Sequence, residues 1–90
     1  MVESLTDQQH QAIGTNRGVV VVAIRKGSPA FAADVLPGDM ILAVSGVPVF
    51  DQVSERNAII KALGSDADIL IIHNGTQIVK KISIPSGEWI

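Results

Sequence analysis

The sequence predicts an α+β fold: a small, highly curved, mainly antiparallel sheet with short helices set among its strands. Three observations lead to it. Of 90 residues, 23 are β-branched aliphatics, eleven Val and twelve Ile, whose stiff χ1 suits a pleated strand. Apolar runs of strand length alternate with one longer segment of helical period. Turn signals containing Gly or Pro separate these segments at close intervals. The length fits one domain over residues 1–90, with a core from about 5 to 85 and a tail at 86–90.

In chain order, Leu5 to Ile13 reads as a short helix, with Thr6 as cap and Gly14 as terminator. Thr15 to Gly18 is a loop. Val19 to Ile24 is a strand, six apolar residues in a row, and the loss of alternation implies that both faces are covered or nearly so. Ser28-Pro29 opens a second short helix, with Ser as N-cap and Pro where a missing N–H costs nothing. Phe31 and Val35 lie four apart and are expected to face the core together. Leu36-Pro37-Gly38-Asp39 is a turn, Met40 to Ser45 the next strand, and Val47 to Val49 a short extended piece.

The strongest helix runs from Asp51, a cap, to Leu63, ahead of Gly64. Val53, Ile59, Ile60 and Leu63 fall within a third of its circumference. Phe50 precedes it in a staple position. Asp68–His73 and Gln77–Ile84 are strands around Asn74-Gly75, a pair suited to a type I′ hairpin turn because both residues tolerate positive φ. Glu88-Trp89-Ile90 is a tail without a core role.

Composition removes several function classes. A chain that is 47% apolar with net charge −2 is not disordered and has no basic footprint for nucleic acid. Aromatic residues at 3% give no stacking platform for single strands. Without cysteine there is no disulfide, thiolate nucleophile or cysteine metal site. His10 and His73 lack a third ligand at metal spacing, and no cofactor or metal site is expected. Ser28 sits in Gly-Ser-Pro-Ala rather than in a nucleophile elbow. Asp34, Asp39 and Asp51 fall in turns or caps and form no acid–base pair. Asn74-Gly75-Thr76 matches a glycosylation sequon, but a hairpin turn explains it fully. The longest apolar run is far short of the ~20 residues of a membrane helix, so no membrane insertion of this domain is expected. Met1 to Leu5 does not read as a signal peptide. A chain this short with no targeting segment is consistent with a domain of a longer protein.

Three segments in order carry a resemblance: Arg17-Gly18-Val19-Val20-Val21, Gly27-Ser28-Pro29-Ala30, and the stretch from Leu36-Pro37-Gly38-Asp39-Met40-Ile41-Leu42 through Val44 and Gly46 to Pro48-Val49. Together they resemble the PDZ family in its bacterial form, found beside HtrA-type serine proteases, from about Leu5 to Pro85. The resemblance implies a partly open antiparallel β-barrel or sandwich of five to six strands capped by two helices, here with a short extra N-terminal helix. It implies a non-catalytic protein–protein interaction module that binds extended peptides or C-termini as an added strand. The implied parent is a bacterial envelope serine protease, with this domain recognising substrate or regulating the enzyme. The alternative is an interaction module of a secretion-system or other non-protease envelope protein. A periplasmic or envelope location follows from the resemblance alone.

Carried over residue by residue, the resemblance places a carboxylate-binding loop at Asn16, Arg17, Gly18 and Val19. A peptide-pairing strand follows at Val19, Val20, Val21, Val22 and Ala23. Val53, Asn57 and Ile60 form a groove ridge at i, i+4 and i+7, while Ile59 and Leu63 face the core. Val19, Val21, Val53 and Ile60 would line the pocket for an aliphatic terminal residue of the partner. Arg17 stands where the family prefers an apolar residue. Trp89 and Ile90, ending in a free carboxylate, are a candidate ligand for the groove of a neighbouring copy.

Overall fold

The computed structural model describes residues 1–90. The elements are β1 (Val2–Ser4), α1 (Asp7–Ile13), β2 (Val19–Val21), α2 (Pro29–Ala32), β3 (Met40–Val44), β4 (Val47–Pro48), α3 (Gln52–Lys61), β5 (Ser65–His73) and β6 (Thr76–Ile84). Local chemistry sets most of their ends. Thr6 accepts from the Gln9 N–H at 3.1 Å while the Gln9 side chain accepts from the Thr6 N–H, a closed capping box. Ser28 caps α2 by accepting from the Phe31 N–H. Asp51 caps α3, its carboxylate accepting from the Ser54 N–H at 2.8 Å. That bond holds the Asp51 carboxyl below its ordinary range, so acidification removes the cap's contribution as the group takes up its proton. Asn74 and Gly75 both adopt positive φ, 48° and 78°, as a type I′ turn requires.

The sheet is antiparallel and open, in the order β1-β2-β3-β5-β6, with β4 paired to β3. A bulge between Ile41 and Ala43 bends β3. The long β5–β6 hairpin alternates in burial: Ala67, Ile69 and Ile71 face inward, and so do Ile82 and Ile84. Ala30 of α2, Ala58 and Ile59 of α3, and Ala62 at the C-cap of α3 close the core.

Several expectations change. β2 stops at Val21, leaving Val22 to Ile24 outside the strand. Phe31 is exposed. Ala30 takes the inward position of α2, where a small side chain lets the Trp89 carbonyl accept from the Ala30 N–H at 2.9 Å. The apolar stripe on α3 points elsewhere: Glu55, Ala58, Ile59 and Ala62 are buried at i, i+3, i+4 and i+7, while Val53, Ile60 and Leu63 are exposed. The two alanines let the helix lie close to the sheet, which larger side chains would prevent. Phe50 is also exposed, because the position that would complete a staple holds Glu55.

The tail is the largest change. Trp89 is 1% exposed and belongs to the core, and Ile90 packs against it. The Arg25 N–H donates to the Ile90 carbonyl, and the Arg25 guanidinium donates to the Glu88 carbonyl at 2.6 Å. The segment therefore folds onto its own domain and is not a free strand for a neighbour's groove.

Candidate functional site

β2 has a strand on each side. Val19 and Val20 face Ser4 and Glu3 of β1 on one edge, and Ile41 and Met40 of β3 on the other. Val21 closes the ladder, its N–H donating to the Asp39 carbonyl, and the Val22 N–H donates to the Met1 carbonyl. No edge of Val19–Ala23 is left for a ligand, and Val19 and Val21 are core side chains. The proposed carboxylate loop is spent in the same way. The Gly18 N–H donates to the Val49 carbonyl at 2.6 Å, and the Arg17 N–H donates to the Thr15 hydroxyl. Asn16 and Arg17 lie exposed on the α1–β2 connection. Gly18 has a structural reason of its own: φ is +120°, and a Cβ there would stand 2.8 Å from the buried Leu5. These placements correct the assignment of the loop and the pairing strand.

The free edge belongs instead to β1, the outermost strand at one end of the sheet. Because Met1 accepts from Val22, its polar groups turn toward β2. Alternation along an antiparallel strand then turns those of Val2 and Ser4 outward. The outward Val2 carbonyl accepts from the Gln52 side-chain amide at 2.7 Å. Between β1 and α3 lies a groove of about 460 Å³, lined by Met1, Val2, Gln52, Val53, Glu55, Arg56 and Asn57. Val53 and Asn57 are among its lining residues. Ile60 is exposed further along α3 and does not line it.

The opposite end of the sheet, β6, is protected. Lys80 donates to the carbonyls of Ala33 and Asp34 beside α2, Lys81 pairs with Asp68, and Pro85 follows the strand. Lysines and a proline are usual ways of blocking a sheet edge.

Glu55 was missed at the sequence level. It is buried at the groove's inner wall, and its carboxylate accepts from the Trp89 indole N–H at 3.3 Å. Burial pushes its pKa above 4.5, and the smaller opposing pulls come from Trp89, the N-terminal ammonium and Arg56. The folded protein therefore holds this proton to higher pH than the unfolded chain does. Glu55 favours folding below its unfolded value, and that contribution is lost as pH rises through the folded one. Glu55→Gln keeps an acceptor for Trp89 without a buried charge. In urea unfolding it is expected to be more stable than the parent at pH 7, by a margin that shrinks toward pH 4.5. A variant less stable than the parent at pH 7 would show that the ionised carboxylate is itself stabilising.

Asp39 and His73 are also brought together, Oδ1 to Nδ1 at 2.6 Å, although the sequence reading paired neither. Asp39 Oδ2 accepts from the Leu36 N–H at 3.0 Å, so this carboxylate ties the 36–39 turn to the end of β5. The other ring nitrogen faces the Asn74 amide at 3.3 Å rather than a hydroxyl. The arrangement is a brace, without a nucleophile.

Comparison with known proteins agrees with this architecture. The family model for the PDZ domain matches residues 2–84. The chain is 32% identical, over 90 residues, to a probable periplasmic serine endoprotease DegP-like of Chlamydia muridarum (strain MoPn / Nigg). The alignment covers 97% of this chain but only 18% of that protein. Among solved structures, a variant of the HtrA-type protease AlgW with decapeptide superposes with a TM-score of 0.81 at 23% identity, over 96% of this chain and 28% of that one. The HtrA3 PDZ domain bound to a phage-derived ligand (FGRWV) superposes with a TM-score of 0.77 at 17% identity, over 92% of this chain and 78% of that one. The open antiparallel sheet, its flanking helices and the family match over nearly the whole chain establish that this protein belongs to the PDZ domain family.

Proposed function

We propose that residues 1–90 act as one peptide-recognition module, and that an extended peptide adds to the outer edge of β1 while lying against α3. The observation that carries this reading is the β1 edge itself. It turns the polar groups of Val2 and Ser4 outward, and Val2 lines a groove walled by Val53 and Asn57. Strand addition of this kind takes its affinity from backbone pairing and its selectivity from side-chain contacts. A ligand running antiparallel to β1 ends beside Met1. Met1, Val2 and Val53 then offer an aliphatic surface to its last side chain. Burying one such side chain contributes roughly 1.5–3 kcal/mol, which after association costs suits micromolar binding.

The solved relatives carrying peptides and the DegP-like relative support a role in substrate recognition or regulation within a periplasmic serine protease. The chain spans about a fifth of that relative, so the protease itself is part of the proposal.

The test is a screen of random C-terminal peptides, followed by titration of two variants. Ser4→Pro removes an outward N–H from the exposed end of β1, where an edge strand tolerates proline. Val53→Asp places a charge on a side chain that is 69% exposed. Each is expected to weaken binding of an aliphatic-ended peptide at least about tenfold, with the fold intact by circular dichroism. Unchanged binding by both variants would move the site away from β1.

A further inference from the structure

We infer that Gln52 is a built-in gate on this groove, holding the β1 edge closed until a ligand strand displaces it. The inference rests on the proposed groove and concerns the state of the groove before binding. An edge strand presents unpaired carbonyls, which must find donors or remain open to any passing strand. In β1 the outward Val2 carbonyl has such a donor, the Gln52 side-chain amide at 2.7 Å. Gln52 is the first residue of α3, directly after the Asp51 cap, and its backbone is held there by the capping box with Ser54. The side chain alone therefore has to move for the bond to break. It reaches from one wall of the groove to the other, across the path a ligand backbone must take to pair with Val2.

An incoming strand then competes with an internal hydrogen bond for the same carbonyl. The apparent affinity is reduced by the fraction of molecules in which the amide has swung away. For a hydrogen bond of ordinary net strength, that reduction is about two- to tenfold. The factor is the same for every ligand that pairs with the Val2 carbonyl, and a ligand that leaves that carbonyl unpaired does not meet the gate.

Two measurements test this. In the unliganded domain, the Gln52 side-chain amide protons should exchange with water more slowly than those of a solvated glutamine. A fluorescein-labelled hexapeptide ending in Val with a free carboxylate is then titrated against wild type, Gln52→Ala and Gln52→Glu. The Glu variant keeps the length of the side chain but has no donor when ionised. Both variants are expected to bind about two- to tenfold more tightly than wild type, and peptide should release the wild-type amide protons to fast exchange. Fast exchange in the free domain, or unchanged or weaker binding by the variants, overturns the gate. If wild type binds and Val53→Asp does not, the groove survives that failure. Slow exchange with no peptide binding to any form overturns the groove, and the gate with it.

Discussion

Trp89→Ala is expected to lower the free energy of unfolding by about 3–5 kcal/mol, the range for removing a buried Trp. A domain of this length has a total stability of roughly 5–13 kcal/mol, so the loss is a large fraction of it. Two effects combine. The side chain is 1% exposed and packed in the core, so its removal leaves a cavity that the β-branched neighbours cannot collapse to fill. The Glu55 carboxylate also loses its indole donor while remaining buried. Trp89→Phe separates the two, since it retains most of the ring volume and loses only the N–H, at about 1–3 kcal/mol. Urea unfolding followed by far-UV circular dichroism is the suitable measurement, because the substitution removes the only Trp. A change below about 1 kcal/mol for the alanine variant would mean that the tail does not complete the core.

Val21→Asp is expected to unfold the domain outright. Its side chain is 1% exposed within the apolar core, so an ionised carboxylate there is stranded. The cost is at least about 4 kcal/mol and rises further for a charge buried this fully, which reaches into the roughly 5–13 kcal/mol that hold the domain together. Its contrast is Val53→Asp, where an exposed position keeps the effect on stability within about 0.5 kcal/mol. The pair separates core from groove: β2 fails by unfolding, α3 by losing ligand. A folded Val21→Asp protein that merely lost peptide binding would return the site to β2.

These two residues also show where reading the sequence runs short. The run of valines announces a strand, and its lost alternation announces coverage on both faces. It does not say which strand lies on each edge. β1 is three residues long, too short for a periodic signal, yet its pairing with Val19–Val21 removes that strand from the groove. Strand pairing is a long-range choice that local pattern does not encode. Trp89 had a signal that could have been used. A lone Trp in an aromatic-poor chain has more apolar surface to hide than any other side chain, and burial is its default. Glu55 and Gln52 had none, because a glutamate and a glutamine on a helix are ordinary surface residues until something is placed opposite them.

What was legible is what short-range chemistry controls. The caps at Thr6, Ser28 and Asp51 and the Asn74-Gly75 turn each follow from a few adjacent residues. The family motifs around Leu36–Val49 were legible for the same reason, since turns and glycines stand at fixed local spacing. The sequence by itself therefore determined the fold class, the family and most element boundaries. The tertiary structure decided which edge is open, which face of α3 is buried and where the chain's end goes. Those outcomes depend on partners far apart along the chain: Val2 with Val21, Gln52 with Val2, Glu55 with Trp89. Each is settled by which groups the assembled fold sets opposite one another, and no local stretch of sequence states that condition.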